Sequence, residues 1–168
     1  MPKSVAPIYA LDENNGNSLW ADAISKETKN VNHAFRKLHN GKLVPIGYHR
    51  VNCHMIFGVK MEYFRRKDRL VEERHAIEQP ATITYAIVVS RETVIIALTL
   101  DALNNFLVKV VDIQNAYITA PVTEKIWTVL GPEFGENSGR KAIVVCALYG
   151  LKSAGSVFRN QLADYGFL

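Results

Sequence analysis

Cysteine is scarce in this sequence, which contains only Cys53 and Cys146 and has no second cysteine near either. That spacing gives no basis for a disulfide framework or for a Cys-x-x-Cys zinc site. Long apolar runs are missing too: no stretch approaches about 18 apolar residues, and the N-terminus becomes polar too early for the core of a signal peptide. Secretion and membrane spanning are therefore not expected, and a reducing compartment is the expected location.

Strong net charge, internal repeats and low-complexity tracts are also absent. The 168 residues are 48% hydrophobic and carry a net charge of +4, which is ordinary for a globular chain long enough to bury a core. The basic residues concentrate in the first half, most densely in the run Arg65-Arg66-Lys67-Asp68-Arg69. Because apolar segments flank this run, it predicts charges displayed on a folded hairpin; the simpler alternative is a solvated strand face without a ligand.

Helical and strand patterns follow each other irregularly along the chain. Residues 1–17 show neither pattern and are predicted to be a disordered linker. Ser18 and Ser90 are each predicted to cap a helix, the first ending near residues 30–32 and the second near Leu103. Because strands and helices do not alternate as regular βαβ units, the expected fold class is α+β, with antiparallel strands packed against helices. The predicted strands are 43–48, 53–60, 66–71, 106–113, 125–130 and 141–147, and a last helix follows them.

One carboxylate follows an apolar strand pattern directly. Asp112 comes after the run Val108-Lys109-Val110-Val111, and an aspartate at a strand end can hold a divalent metal where a substrate reaches it. From the pattern alone, a turn former or a helix cap is the commoner role of such a residue.

The strings around Asp112 and near the C-terminus resemble copia-type (Ty1/copia) reverse transcriptases. VKVVDIQNAYITAP is similar to the family's first polymerase motif, in which Ala116 and Tyr117 occupy the fourth and fifth positions after the aspartate. ALYGLKSAGSVF resembles the family's LYGLKQAPRAW segment, and Arg69-Leu70-Val71 resembles its fingers motif KARLVAKG. The three matches occur in the family's order and cover roughly residues 18–168. The chain is therefore expected to be a fragment of a reverse transcriptase domain from a retrotransposon polyprotein.

The resemblance implies a fold and an activity. Residues 18–105 would form mostly the fingers and 106–168 the start of the palm, with the YVDD hairpin, thumb and connection missing. The family's reaction is RNA-directed DNA synthesis with an RNA template, a DNA primer and a deoxynucleoside triphosphate, at two Mg²⁺ ions held by several carboxylates. Asp112 matches one of these metal ligands. No Asp-Asp pair occurs in residues 113–168, so the chain alone is expected to be inactive.

The resemblance also assigns roles to other side chains. Tyr117 matches the ring under the sugar of the incoming nucleotide, its alternative being a half-buried core tyrosine. Gly150 matches a point of close backbone approach to the nucleic acid, its alternative being a simple turn. The other residues matched to the nucleotide pocket are Ala116, Tyr149 and Lys152. The residues matched to phosphate or template contacts are Arg65, Arg66, Lys67 and Arg69, whose charge-assisted contacts would be salt-dependent.

Several positions depart from the family pattern. Glu72 and Glu73 stand where the family has Ala and Lys, which is expected to weaken phosphate binding. Ile95 replaces a common arginine, and Gly155 replaces a proline. Two alternatives to a polymerase fragment follow: a nucleic-acid-binding remnant without catalysis, or a decayed reading frame without function.

The resemblance finally implies a partner and a location. Without the YVDD hairpin, the predicted strand 106–113 would be an open apolar edge, prone to aggregation unless the rest of the polyprotein or another chain covers it. By family the location is cytoplasmic, in a virus-like particle, with the nucleus as the alternative.

Overall fold

The computed structural model of this protein describes residues 5–39, 41–73 and 89–166. Within them, the chain alternates between helices and short strands. None of the described helices is long and apolar enough to cross a membrane. The α-helices are Val5–Asn15 (α1), Leu19–Val31 (α2), Arg91–Asn104 (α3) and Ala154–Asp164 (α4). Short 3-10 helices lie at Asn32–Ala34, Glu62–Phe64, Ala116–Thr119 and Pro132–Asn137.

The strands form a four-stranded sheet and a separate hairpin. They are Phe35–Lys37 (β1), His49–Arg50 (β2), Cys53–Lys60 (β3), Arg65–Glu72 (β4), Ile126–Val129 (β5) and Lys141–Val144 (β6). The sheet has the order β1-β6-β5-β2, in which β2 and β5 are parallel and the other pairs antiparallel. The hairpin pairs β3 with β4, Cys53 opposite Glu72 and Lys60 opposite Arg65. This mixture confirms the predicted α+β class. The sheet takes strands from both sides of residue 105.

Helix α2 packs against the hairpin and carries the predicted apolar face. Trp20, Ile24 and Val31 are buried, as the helical spacing predicts. The Trp20 ring meets Phe57 of β3 edge to face, with ring centroids 5.9 Å apart. Leu70 of β4 is fully buried in the same core. The core therefore holds α2 and β4 together, which sets the geometry of the cleft described below.

Within the predicted disordered linker 1–17, Val5–Asn15 form helix α1, and residues 1–4 lie outside the described residues. Val5 and Ile8 of this helix are buried against the core. Asp12 is buried as well, and its Oδ2 accepts hydrogen bonds from the backbone nitrogens of Trp20 (3.0 Å) and Ala21 (2.9 Å). These nitrogens belong to the first turn of α2, which has no partners for them within the helix. An aspartate of α1 thus caps α2 from outside, an arrangement that local sequence patterns do not reveal.

Two of the predicted strands are not strands in the structure. Residues 43–48 form a loop in which Leu43 and Ile46 are exposed. Residues 106–113 also belong to no strand in the described part of the chain, and Val110 remains 92% exposed. Both sequences are apolar and partly β-branched, but a strand forms only where another strand accepts its backbone hydrogen bonds. The other predicted strands are confirmed with small shifts of their ends.

Helix α3 is confirmed, but it does not join the core. Ser90 caps it as predicted, with its hydroxyl oxygen accepting from the Thr93 nitrogen (3.2 Å). None of its residues is buried, although Val94, Leu98 and Leu103 are large and apolar. Together with residues 106–113, α3 forms a continuous apolar segment of chain that the described residues leave uncovered.

Candidate nucleic-acid interface

A cleft of about 390 Å³ brings together residues from distant parts of the sequence. Its walls come from α2, from the hairpin, from residues 112–115 and from Tyr149. Here it is called the α2–β4 cleft. Of the sequence-predicted site residues, it collects Asp112, Tyr149, Arg65, Arg66, Lys67 and Arg69. Ala116, Tyr117, Gly150 and Lys152 are not among its lining residues.

The four basic residues of β4 do not have equal access to a ligand. Burial alternates along the strand, so that Asp68 and Leu70 point to the core while Arg65 and Arg69 are exposed. Arg66 is used by the fold: its guanidinium lies 5.4 Å from the centroid of the Trp20 ring, and its Nη1 donates to the Phe64 carbonyl oxygen (2.7 Å). The side chains best placed to meet phosphates are therefore Arg65, Lys67 and Arg69.

Positive charge is concentrated around Lys67. Partial burial, and after it the positive charges of neighbouring side chains, Arg69 first, lower its pKa. Charges of one sign that repel each other favour an anion that would relieve the repulsion. A second cavity of about 690 Å³ lies on the outer face of the hairpin and shares Lys60, Lys67, Arg69 and Tyr149 with the cleft. These shared cations thus stand on the ridge between the two cavities.

Two buried carboxyl groups lie behind the basic strand. Glu27 of α2 accepts a hydrogen bond from the Leu70 nitrogen (3.1 Å), and burial raises its pKa despite that bond. Burial, and then the charge of Glu27, raise the pKa of Asp68 from 3.8 to about 6. The Oδ2 atom of Asp68 is buried without a hydrogen-bond partner in the described structure. Each carboxyl thus favours its protonated form more than an exposed carboxyl would.

The Tyr149-Gly150 turn is fastened to β4. The backbone nitrogen of Glu72 donates to the Tyr149 carbonyl oxygen (2.7 Å), and Val71 forms a parallel bridge with Tyr149. The guanidinium of Arg69 lies 5.1 Å from the centroid of the Tyr149 ring, within the range of a cation–π contact. Gly150 has a φ of +99°, and a Cβ there would collide with the Glu72 backbone. The close approach at Gly150 therefore involves the protein's own chain.

Tyr117 packs inside the protein behind Tyr149. Its ring meets Tyr149 with centroids 5.1 Å apart and Phe158 of α4 with centroids 6.0 Å apart, both edge to face. Tyr117 and Ala116 are half-buried on the 3-10 helix Ala116–Thr119, and Lys152 is half-buried in the turn before α4. The aromatic cluster matches the alternative interpretation of Tyr117 as a half-buried core residue.

Asp112 is exposed at the mouth of the cleft. Across the described ranges, no group of three or more His, Cys, Asp and Glu residues is arranged to hold a metal ion. Glu27 and Asp68 also line the cleft, but Glu27 accepts a hydrogen bond from the Leu70 nitrogen and both side chains are buried. The described residues therefore do not form the several-carboxylate cage that a two-metal site requires.

The surroundings of both cysteines disfavour the thiolate. Burial raises the pKa of Cys53 to about 12, and burial likewise raises the pKa of Cys146. Because the thiolate is the nucleophilic form, burial lowers the nucleophilicity of both thiols at neutral pH.

Residues of α2 complete the cleft and were missed by the sequence reasoning. They are Ala23, Lys26, Glu27 and Asn30. Their spacing of three, one and three residues places them on one face of a helix, which is a signal that the sequence does contain. Lys26 adds a further cation opposite the basic strand.

No family model, no curated protein and no solved structure matches the chain significantly.

Proposed function

We propose that this chain is a fragment of a copia-type reverse transcriptase, comprising fingers and the start of the palm, which binds nucleic acid but does not polymerise alone. The observation that carries the proposal is the α2–β4 cleft. Residues from three separate motifs of the family line this one cavity: Arg69 of the fingers string, Asp112 of the first polymerase motif and Tyr149 of the LYGLK string. A chance resemblance of three short strings would not be expected to converge in space.

In this proposal, the residues of the cleft have different roles. Arg65, Lys67 and Arg69 bind phosphates of the template, the primer or the incoming triphosphate through charge-assisted hydrogen bonds. Asp112 offers one oxygen donor for Mg²⁺, which in the family's reaction activates the primer hydroxyl and steadies the triphosphate. The remaining carboxylates have to come from outside the described residues. We infer that the rest of a polyprotein, or another chain, covers the exposed apolar residues of α3 and residues 106–113. This assembly would be located in a cytoplasmic particle or in the nucleus.

We expect no DNA synthesis by the isolated chain. Ligands of one metal cluster act as a unit, so an incomplete cage loses catalysis rather than weakening it. The measurement is primer extension on an RNA template with Mg²⁺ and all four deoxynucleoside triphosphates. Incorporation that disappears in Asp112→Asn would show a complete active site and would contradict the claim of inactivity.

Binding is expected to depend on the cations that point into solvent. We expect the triple variant Arg65→Gln/Lys67→Gln/Arg69→Gln to lose at least about tenfold in affinity for a single-stranded oligonucleotide, because each phosphate contact releases counterions. Affinity of the wild type should fall steeply with salt, and Asp112→Asn should bind like the wild type. Fluorescence anisotropy with a labelled RNA or DNA strand measures both effects.

A matched control separates these positions from overall charge. The variant Lys42→Gln/Lys125→Gln/Arg159→Gln also removes three positive charges, all at exposed positions, and should bind within about twofold of the wild type if long-range charge contributes little. Equal losses of affinity in the two triple variants would contradict the assigned interface. Absence of any binding by the folded wild type would favour a decayed reading frame. A chain that binds nucleic acid yet lends no activity to a complementing palm fragment would be the non-catalytic remnant.

A further inference from the structure

The turn between β3 and β4 exposes three large apolar side chains. Met61, Tyr63 and Phe64 are 83%, 98% and 68% exposed. Residues 61–64 are here called the hairpin tip. Cations stand on either side of it: Lys60 ends β3 and Arg65 begins β4. Both line the α2–β4 cleft, so the hairpin tip is continuous with the proposed nucleic-acid interface.

The backbone of the hairpin tip is held in an uncommon conformation. Tyr63 and Phe64 have φ angles of +58° and +48°, in the left-handed region that residues with large side chains rarely adopt. Arg66 holds this conformation from below, since its Nη1 donates to the Phe64 carbonyl oxygen (2.7 Å) while its guanidinium rests over the ring of Trp20. Arg66 and Trp20 thus connect the backbone that carries the exposed Tyr63 and Phe64 rings to the buried core. Such strain persists only where surrounding structure maintains it, and it often marks a functional position.

We propose that the hairpin tip stacks on unpaired bases of a single-stranded nucleic acid whose phosphates run along the basic side of the cleft. Exposed aromatic rings next to a positively charged groove are the combination that binds single strands without sequence preference. Bases of a duplex are already stacked on each other and offer no free face. A purely apolar protein partner would gain nothing from the flanking cations. The inference rests on the proposed function and adds the residues that contact the bases of the ligand.

The test compares two strands that have the same phosphates. One is a fluorescein-labelled oligo(dT), and the other is an abasic oligonucleotide of equal length. We expect the wild type to bind oligo(dT) about tenfold more tightly for each base stacked. We expect Tyr63→Ala/Phe64→Ala to bind both strands equally, at the abasic affinity. Tyr165→Ala removes an aromatic ring that is 69% exposed at the end of α4 and should retain the preference for bases.

The outcomes distinguish this inference from the proposed function. Equal binding of both strands by the wild type would overturn base stacking and leave phosphate binding intact, because phosphate binding is measured by the triple charge variant. Absence of binding to either strand would overturn both. Binding to vesicles of phosphatidylserine and phosphatidylcholine in preference to oligo(dT), lost in the aromatic variant, would assign the hairpin tip to a membrane surface and refute the inference. Circular dichroism melting of each variant verifies that it is folded.

Discussion

Gly150→Ala is expected to lower the free energy of unfolding by at least about 3 kcal/mol. Gly150 has a φ of +99°, so an alanine there is strained whatever space surrounds it. Space is also missing, because the added Cβ would lie 3.0 Å from the Glu72 nitrogen and closer still to the Glu72 carbonyl oxygen. Both atoms are backbone, and they belong to a strand whose hydrogen bond to Tyr149 closes this junction. Neither the turn at Gly150 nor the backbone of Glu72 can move aside without separating the turn from β4.

Urea unfolding followed by circular dichroism measures this effect, and Gly47→Ala is the matched control. Gly47 has a φ of +85° and nothing within 4 Å of an added Cβ. It should therefore show only the conformational cost, about 1 kcal/mol. The difference between the two variants isolates the steric contribution of the Tyr149–Glu72 junction. Equal destabilisation by the two substitutions would mean that the turn is not closely packed on β4. Because Arg69 and Tyr149 meet at this junction, Gly150→Ala should also weaken oligonucleotide binding wherever the variant remains folded.

Asp68→Asn is expected to stabilise the fold by about 2 kcal/mol at pH 8 and by little at pH 4. Burial, and then the Glu27 carboxylate, raise the pKa of Asp68 from 3.8 to about 6. A carboxyl whose pKa is higher in the folded state contributes stability that is fully present below pH 3.8 and is lost as the pH rises through about 6. Above that range the wild type keeps a buried charge whose Oδ2 has no hydrogen-bond partner in the described structure. Asparagine removes the charge at nearly constant volume.

The measurement is urea unfolding of wild type and variant at several values between pH 4 and pH 8. The difference in the free energy of unfolding should grow as Asp68 ionises. Asp164→Asn, at an exposed position near the end of α4, should change stability by less than about 0.5 kcal/mol at every pH. A variant that is less stable than the wild type at pH 8 would show that the Asp68 carboxylate makes favourable contacts, contrary to its environment here.

The arrangement of charge around β4 connects stability with the proposed binding. The strand presents cations on one side and buries Asp68 on the other, because successive side chains of a strand alternate between faces. The buried acid is costly at neutral pH, whereas the exposed Arg65 and Arg69 cost the fold little. Asp68 also lines the α2–β4 cleft, so its carboxylate opposes a phosphate held by the neighbouring cations. Asp68→Asn is therefore expected to stabilise the fold without weakening oligonucleotide binding.

The amino-acid sequence was sufficient for features that depend on neighbouring residues. Helix α2 was predicted from its apolar spacing, and α3 from the serine that caps it. Strands β3 and β4 were predicted from runs bounded by polar turns. The α+β class followed from the irregular order of these elements. Six of the residues that line the cleft were also predicted from the sequence, although through resemblance to a family rather than through spacing alone.

The tertiary structure decided everything that depends on a distant partner. Asp12 caps a helix that begins beyond its own, and so gives order to a segment that local patterns describe as a linker. Residues 106–113 have a strand-like sequence, but within the described ranges no second strand accepts their hydrogen bonds, so they form no strand and stay exposed. Arg66 differs from the exposed Arg65 and Arg69 because its side chain is half-buried over the Trp20 ring and donates to the Phe64 carbonyl oxygen. Local propensity operates along the chain, whereas burial, pairing and charge environment are set by segments that meet only in the folded protein.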